Sequence, residues 1–358
     1  MTSSARPVVL ACAADRGYVI PLAVMLRSVL DTLSPDRALH VYILDGGVGE
    51  VDKERLSQTC ATGRARLFWI QPDLSTLRGL PLWGRMPVST YFRLLVARLL
   101  PTSVTKAIWL DCDVVVQRDL AQLWDQEHGD HAELAVQDMA VPYVSSRWGV
   151  SAYRELELPA RTPHFNAGVM VVNLDRWRTD GVESMVLTYV RRHIHRVTFW
   201  DQEGLNAAVA GAWAGLDPRW NVIAGLSGRS FFRPEHLEPV VYRQVVQDPW
   251  ILHFSGTLKP WVLGPRSRRA SAFYEQLDRT AWAGWRPSRT AVGIAMSIYD
   301  SKLRRLLYPA ERLAIELSRK RTLRVSATER HRASCEIPIS SASAPAQSGS
   351  GSQLKAGP

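Results

Sequence analysis

Along the first third of the chain, apolar positions recur at two spacings in turn. Runs of β-branched and apolar residues at 8–13, 39–44 and 66–70 predict strands, while 21–33 and 51–60 carry apolar residues at helical spacing. Alternation of this kind predicts an α/β fold with a doubly wound sheet. Ser89 can cap a further helix whose apolar face includes Phe92, Leu95, Val96 and Leu99 and which ends at Pro101. The run 106–110 then reads as a buried strand stopping at Asp111-Cys112-Asp113. Carboxylates at the C-terminal end of a strand sit where open α/β sheets bind ligands.

Later elements are more widely spaced. Strands are expected at 134–137, at 169–173 after His164-Phe-Asn-Ala-Gly168, and at 250–254, with a helix at 201–210. Between them, 141–163 mixes Pro, Ser and Trp and reads as a long functional loop. Asp175 reads as a helix cap, and His193 and His195 with Arg191, Arg192 and Arg196 as a solvated helix face. From about Ser326 the composition turns to Ser, Ala, Gly, Gln and Pro, which predicts a disordered tail over 326–358.

A hydrophobic content of 46% over 358 residues excludes disorder of the whole chain. No run approaches the roughly 18 apolar residues a spanning helix needs, and the apolar stretch after Met1 is too short for a signal peptide. Cys12, Cys60, Cys112 and Cys335 form no CxxC pair, so reduced, packed thiols in a cytoplasmic protein are expected. The net charge of +10 is concentrated at one end: residues 286–358 hold 13 Lys/Arg against 5 Asp/Glu, leaving +2 for the first 285. A near-neutral main region argues against a nucleic-acid binder. The basic stretch from Ala291 to Arg324 interleaves Val292, Ile294, Met296, Leu303 and Leu306 with Lys302, Arg304 and Arg305, and two readings stay open. It can lie as an amphipathic helix on the anionic inner face of the cell membrane, or pack back on the domain.

Asp111 and Asp113, at i and i+2 after a strand, can close on one hard divalent cation that keeps positions free for diphosphate oxygens. With 19 Asp in the chain, about one such pair is expected by chance, so the motif alone says little. His253-Phe-Ser-Gly256-Thr-Leu-Lys259-Pro-Trp261 follows another apolar run. There a histidine can complete a metal site, Gly256 can admit a phosphate close to the backbone, and Lys259 can neutralise it. Each residue taken alone is explained as well by a core histidine, a turn glycine and a solvated lysine.

Together these segments resemble glycosyltransferase family 8, the retaining GT-A enzymes that include glycogenin and the bacterial lipopolysaccharide galactosyl- and glucosyltransferases. The resemblance runs through Ala13-Ala-Asp-Arg-Gly-Tyr18, Tyr91-Phe-Arg93, Trp109-Leu-Asp-Cys-Asp113, Phe165-Asn-Ala-Gly168 with Asn173-Leu-Asp-Arg-Trp177, Asp201-Gln202 and His253 to Lys259, in family order over residues 8 to about 262. It implies a GT-A fold, a Rossmann-like mixed central sheet flanked by helices, over 1–285; the basic amphipathic helical extension over 286–325 is read from its own residues. It further implies that Asp111, Asp113 and His253 ligate Mn²⁺ or Mg²⁺. Ala13, Asp15 and Tyr18 would hold uridine; Arg93, Asp138, Asn166, Asp201 and Gln202 would surround the donor sugar; Gly256 and Lys259 would bind the diphosphate. Cys112, between the aspartates, is implied as a cofactor-binding position whose side chain should point away from the metal. Gly17 departs from the family, whose members often carry Asn there, and leaves one nucleotide contact unfilled.

The expected activity is retaining transfer of a hexose, galactose or glucose, from a UDP-sugar to a glycan, lipid-linked or small-molecule acceptor. Breaking a sugar–phosphate bond loads charge on the diphosphate, which Lys259, Arg93 and a cation can stabilise. The sugar becomes oxocarbenium-like, and Asp201 or the Gln202 amide oxygen can support it. Trp148, Phe231 and Phe232 are the acceptor-site candidates, whereas Trp109 and Trp124 are expected in the core. The alternative is a non-catalytic nucleotide-sugar or carbohydrate-binding protein of the same fold.

Overall fold

In the computed structural model, the two faces of one seven-stranded sheet sort the apolar residues of each strand by parity. The structure describes residues 6–82, 87–229, 232, 234–256, 259–267, 269–288 and 295. Almost all of the expected extension and the whole of the tail therefore lie outside the described residues. The strands are β1 (Val8–Ala14), β2 (Leu39–Asp45), β3 (Ala65–Ile70), β4 (Lys106–Leu110), β5 (Val114–Val116), β6 (Glu133–Gln137), β7 (Phe165–Asn173), β8 (Trp213–Gly215), β9 (Val222–Ile223) and β10 (Ile251–His253). The large sheet runs β3-β2-β1-β4-β7-β6-β8, and β5-β10-β9 form a small second sheet. Pairing is parallel from β3 to β4, turns antiparallel on both sides of β7, and is parallel again between β6 and β8, so the central sheet is mixed.

Successive strand side chains point to opposite faces. Val8, Leu10, Cys12 and Ala14 accordingly face one core with helices Val19–Thr32 and Ala270–Leu277, while Val9 and Ala11 face the other with helices Val182–Arg192 and Trp200–Ala208. Removing any of these Leu or Val side chains from water is worth about 1.5–3 kcal/mol, which fixes the strand registers. Trp109 is buried and Trp124 packs partly buried against both cores, as expected. Cys12, Cys60 and Cys112 are free and buried.

Several elements differ from expectation. The helix expected from Ser89 is a 3-10 helix over Val88–Leu95 that turns α-helical only for Val96–Leu99. Ser89 caps nothing, because its hydroxyl donates to Asp15 Oδ2 at 2.9 Å. β7 starts at Phe165, four residues earlier than its apolar run suggests, carrying Asn166 and Gly168 inside the sheet. The cap of helix Leu174–Asp180 is Asn173, which accepts from Arg176 N, and Asp175 lies in its first turn. His193 is buried against Tyr189, with ring centroids 4.7 Å apart, and is no part of a solvated face. Segment 141–163 has neither helix nor strand, only a bridge between Tyr143 and Pro163.

Candidate active site

The small sheet explains how residues 140 positions apart come together. β10 pairs antiparallel with β5, placing His253 opposite Val114, and Phe254 N donates to Asp113 O at 2.8 Å. β4 delivers Asp111, whose N–H donates to Gly168 O on β7 at 2.9 Å. Ligand-capable atoms of Asp111, Asp113 and His253 all lie within 4.8 Å of one another. His253 Nε2 is 3.2 Å from Asp113 Oδ1 and 3.9 Å from Asp111 Oδ2.

Cations surround this pair of carboxylates. Lys259 forms an ion pair with Asp113 Oδ2. Burial pushes the Asp113 carboxyl up, but Lys259 and His253 outweigh it and hold it well below the usual carboxylate range. The buried Arg93 guanidinium reaches Asp111 at 3.1 Å, pairs with Asp201, donates to Ala167 O and lies 5.5 Å from the centre of the Trp109 ring. Asp201 is pushed up to about 6, chiefly by burial and further by Asp111, with Arg93 opposing. Trp109 Nε1 donates to Asp111 Oδ1 at 3.0 Å.

The remaining expected residues line the same end of the sheet. Asp15, after β1, accepts from Gly17 N at 2.8 Å through Oδ1 and caps the turn that carries Tyr18. Burial first, then the carboxylates of Asp113 and Asp111, raise the Tyr18 hydroxyl far above its ordinary value. Its ring meets Trp261 edge-on at 5.7 Å. The Cys112 thiol points back to Ala13 O at 3.0 Å, away from the carboxylates. Asp138, after β6, accepts from Asn166 Nδ2 at 2.9 Å and Gln202 Nε2 at 3.2 Å, while Gln202 Oε1 accepts from Ala167 N at 3.1 Å. Gly256 has a φ of +91°, a left-handed conformation that favours glycine.

Two of the three acceptor-site aromatics are corrected. Trp148 is 9% exposed and packs against Phe199 at 6.2 Å, and Phe232 is 7% exposed within the core; Phe231 lies outside the described residues. Polar, glycine-containing sequence reads as loop, yet tertiary packing covers the rings of Trp148 and Phe232. Two site residues were not anticipated. Asn221 Oδ1 is 3.0 Å from His253 Nδ1, and its only signal is a lone polar position between Trp220 and Val222. Glu203, buried beside Gln202, accepts from Ser151 N at 2.8 Å, Tyr189 OH at 2.9 Å and Thr198 Oγ1 at 3.0 Å, as well as from Thr198 N.

The family model described as Glycosyl transferase family 8 matches residues 9–263. The chain is 24% identical to general stress protein A of Bacillus subtilis (strain 168), over 75% of this chain and 92% of that one. It is 25% identical to a lipopolysaccharide 1,2-glucosyltransferase of Escherichia coli, over 69% of this chain and 71% of the relative. Among solved structures it matches the galactosyltransferase LgtC, in complex with donor and acceptor sugar analogues, with a TM-score of 0.65 and 25% identity over 76% of this chain and 96% of that chain. The mixed sheet flanked by helices is thus the GT-A arrangement expected. Among the described residues, no helix is long and apolar enough to cross a membrane.

Proposed function

Because the chain belongs to glycosyltransferase family 8, we propose that it transfers a hexose, galactose or glucose, from a UDP-sugar to a glycan, lipid-linked or small-molecule acceptor, retaining the anomeric configuration and using Mn²⁺ or Mg²⁺. The observation that carries this is the meeting of Asp111, Asp113 and His253 within 4.8 Å, flanked by Lys259 and Arg93. The two carboxylates suit a hard cation such as Mn²⁺ or Mg²⁺, the imidazole favours Mn²⁺ of the two, and a bound cation would supply charge stabilisation for the departing diphosphate.

The chain's own residues do the rest. Lys259 offers a point charge and Arg93 a planar one to the diphosphate side. Tyr18, held un-ionised, and Asp15 form a rim for the nucleoside. Gln202, pinned by Ala167 N and Asp138, holds its amide in one orientation, which suits a group that must support developing positive charge on a sugar ring. The similarity to the lipopolysaccharide glucosyltransferase and to LgtC supports a hexose donor. A panel of nucleotide sugars with Mn²⁺, scored for release of free nucleotide without acceptor, tests the proposal and identifies the donor. Folded protein that releases nucleotide from none of them, with Mn²⁺ or Mg²⁺ and with glycan acceptors added, would overturn it.

A further inference from the structure

Asn221 is 2% exposed, and a buried amide needs partners, since each unmet polar group costs about 1–3 kcal/mol. It closes the 3-10 turn Pro218–Asn221, whose start is fixed by Asp217 Oδ1 accepting from Arg219 N at 2.9 Å. The next two residues form β9, where parallel pairing sets Ile223 against His253. Local structure therefore brings Asn221 to the Nδ1 edge of the imidazole.

The direction of each hydrogen bond there is forced by the one before it. Both Asp138 oxygens receive nitrogen donors: Oδ1 from Ala140 N at 2.7 Å and Val141 N at 3.0 Å, Oδ2 from Gln202 Nε2 at 3.2 Å and Asn166 Nδ2 at 2.9 Å. Asn166 must then turn its oxygen the other way, where Gly168 N donates to it at 3.0 Å. That oxygen also lies 3.0 Å from Asn221, which must present its NH₂ there and its oxygen at the opposite end. Asn221 Oδ1 meets His253 Nδ1 at 3.0 Å, so Nδ1 is the donor. In the neutral form, the one able to ligate a cation, the imidazole has one N–H. The lone pair is left on Nε2, the atom facing Asp111 and Asp113.

We propose that Asn221 is a positioning residue: it fixes the His253 proton on Nδ1 and so presents Nε2 as a ligand to the cation shared with Asp111 and Asp113. This rests on the metal reading given above. Through Asn166, the same amide chain ties the metal-facing imidazole to Asp138 and Gln202. Partners of this kind, behind a metal-bound histidine, typically govern about 10–100-fold in metal affinity.

The test is Mn²⁺ binding to the full chain, followed by electron paramagnetic resonance of the free ion, in the wild type and in His253→Ala, Asn221→Leu and Asn221→Asp. Wild type binds and His253→Ala does not. Asn221→Leu, which has no acceptor for Nδ1–H, weakens binding about 10–100-fold, whereas Asn221→Asp, which keeps that acceptor but sets an oxygen against Asn166 Oδ1, loses less than Asn221→Leu. Circular dichroism melts confirm that the variants are folded. Nitrogen NMR of ¹⁵N-histidine-labelled wild type at pH 8, metal-free and with Mg²⁺, reads the imidazole directly, the His253 signal being the one missing from His253→Ala; Nδ1 carries the proton in both. If wild type and His253→Ala bind Mn²⁺ alike, the metal reading falls and this inference falls with it. If His253→Ala loses binding but Asn221→Leu matches wild type, or Nδ1 lacks its proton, this inference alone is overturned.

Discussion

Gly168 lies so close to the His253 ring that a Cβ built on it would sit 2.3 Å from Cε1 and 2.9 Å from Nδ1. The ring has nowhere to retreat: it is buried, bonded to Asn221 at Nδ1 and carried on a strand. Gly168→Ala is therefore expected to displace the imidazole, lower Mn²⁺ affinity at least about tenfold and destabilise the fold by about 1–3 kcal/mol. Titration of Mn²⁺ and a thermal melt check the two effects. An alanine variant with wild-type metal affinity would mean that the ring position is unimportant.

Asp113 is expected to be indispensable to turnover and dispensable to folding. Asp113→Asn keeps the shape but gives up an anionic ligand, so kcat should fall at least about 100-fold at saturating Mn²⁺ while circular dichroism stays unchanged. Unchanged kinetics at saturating metal would refute the metal role.

Glu133 makes stability depend on pH. It is wholly buried, its Oε2 accepting from Trp177 Nε1 at 2.9 Å, and burial pushes its carboxyl up to about 8 despite that bond. A carboxyl whose folded pKa is raised binds more protons folded than unfolded, so stability should fall as pH rises from the ordinary value of 4.5 toward 8. The loss by pH 7 is about 3 kcal/mol at most. Glu133→Gln should flatten that slope, and denaturant melts from pH 5 to 8 measure it. A wild-type slope that the substitution leaves intact would locate the pH dependence elsewhere.

Glu203 should matter to turnover without touching substrate. Its side chain gathers Ser151 of segment 141–163, Tyr189 of the preceding helix, and Thr198 at the entrance to the helix that carries Asp201 and Gln202. Glu203→Gln turns an NH₂ toward these donors and should cost about 2–4 kcal/mol. Turnover should fall together with protection of 144–163 from proteolysis. Lowered turnover with undiminished protection would point to a more direct role.

How much of this was legible in the sequence depended on whether the signal was local. The parity of Val8, Leu10 and Cys12 against Val9 and Ala11 is written in adjacent residues, and β1, β2 and β4 follow from it within a residue or so. Asp111 and His253 stand at the ends of apolar runs, but those positions alone said little; the chemistry-bearing set became readable only through the resemblance of six segments, in order, to glycosyltransferase family 8. β5 and β9 escaped, since two or three residues make too short a pattern to distinguish from a turn. Ser89 misled because a hydroxyl that could cap a helix bonds to a residue 74 positions earlier. Trp148 misled for the same reason, its ring meeting Phe199 from 51 positions away, and Phe232 because it joins a core drawn from many segments; His193 is instead buried against Tyr189, one turn before it.

The short ladder between Val114–Val116 and Ile251–His253 has a consequence for how such a chain can diversify. Because strand neighbours alternate sides, sliding that ladder by a single step would swing His253 to the wrong side and dismantle the trio without altering any of its members. Lengthening a surface connection such as 141–163 leaves the ladder untouched. Selection for new acceptors can therefore work on the loops, while insertions or deletions inside three-residue stretches would be purged.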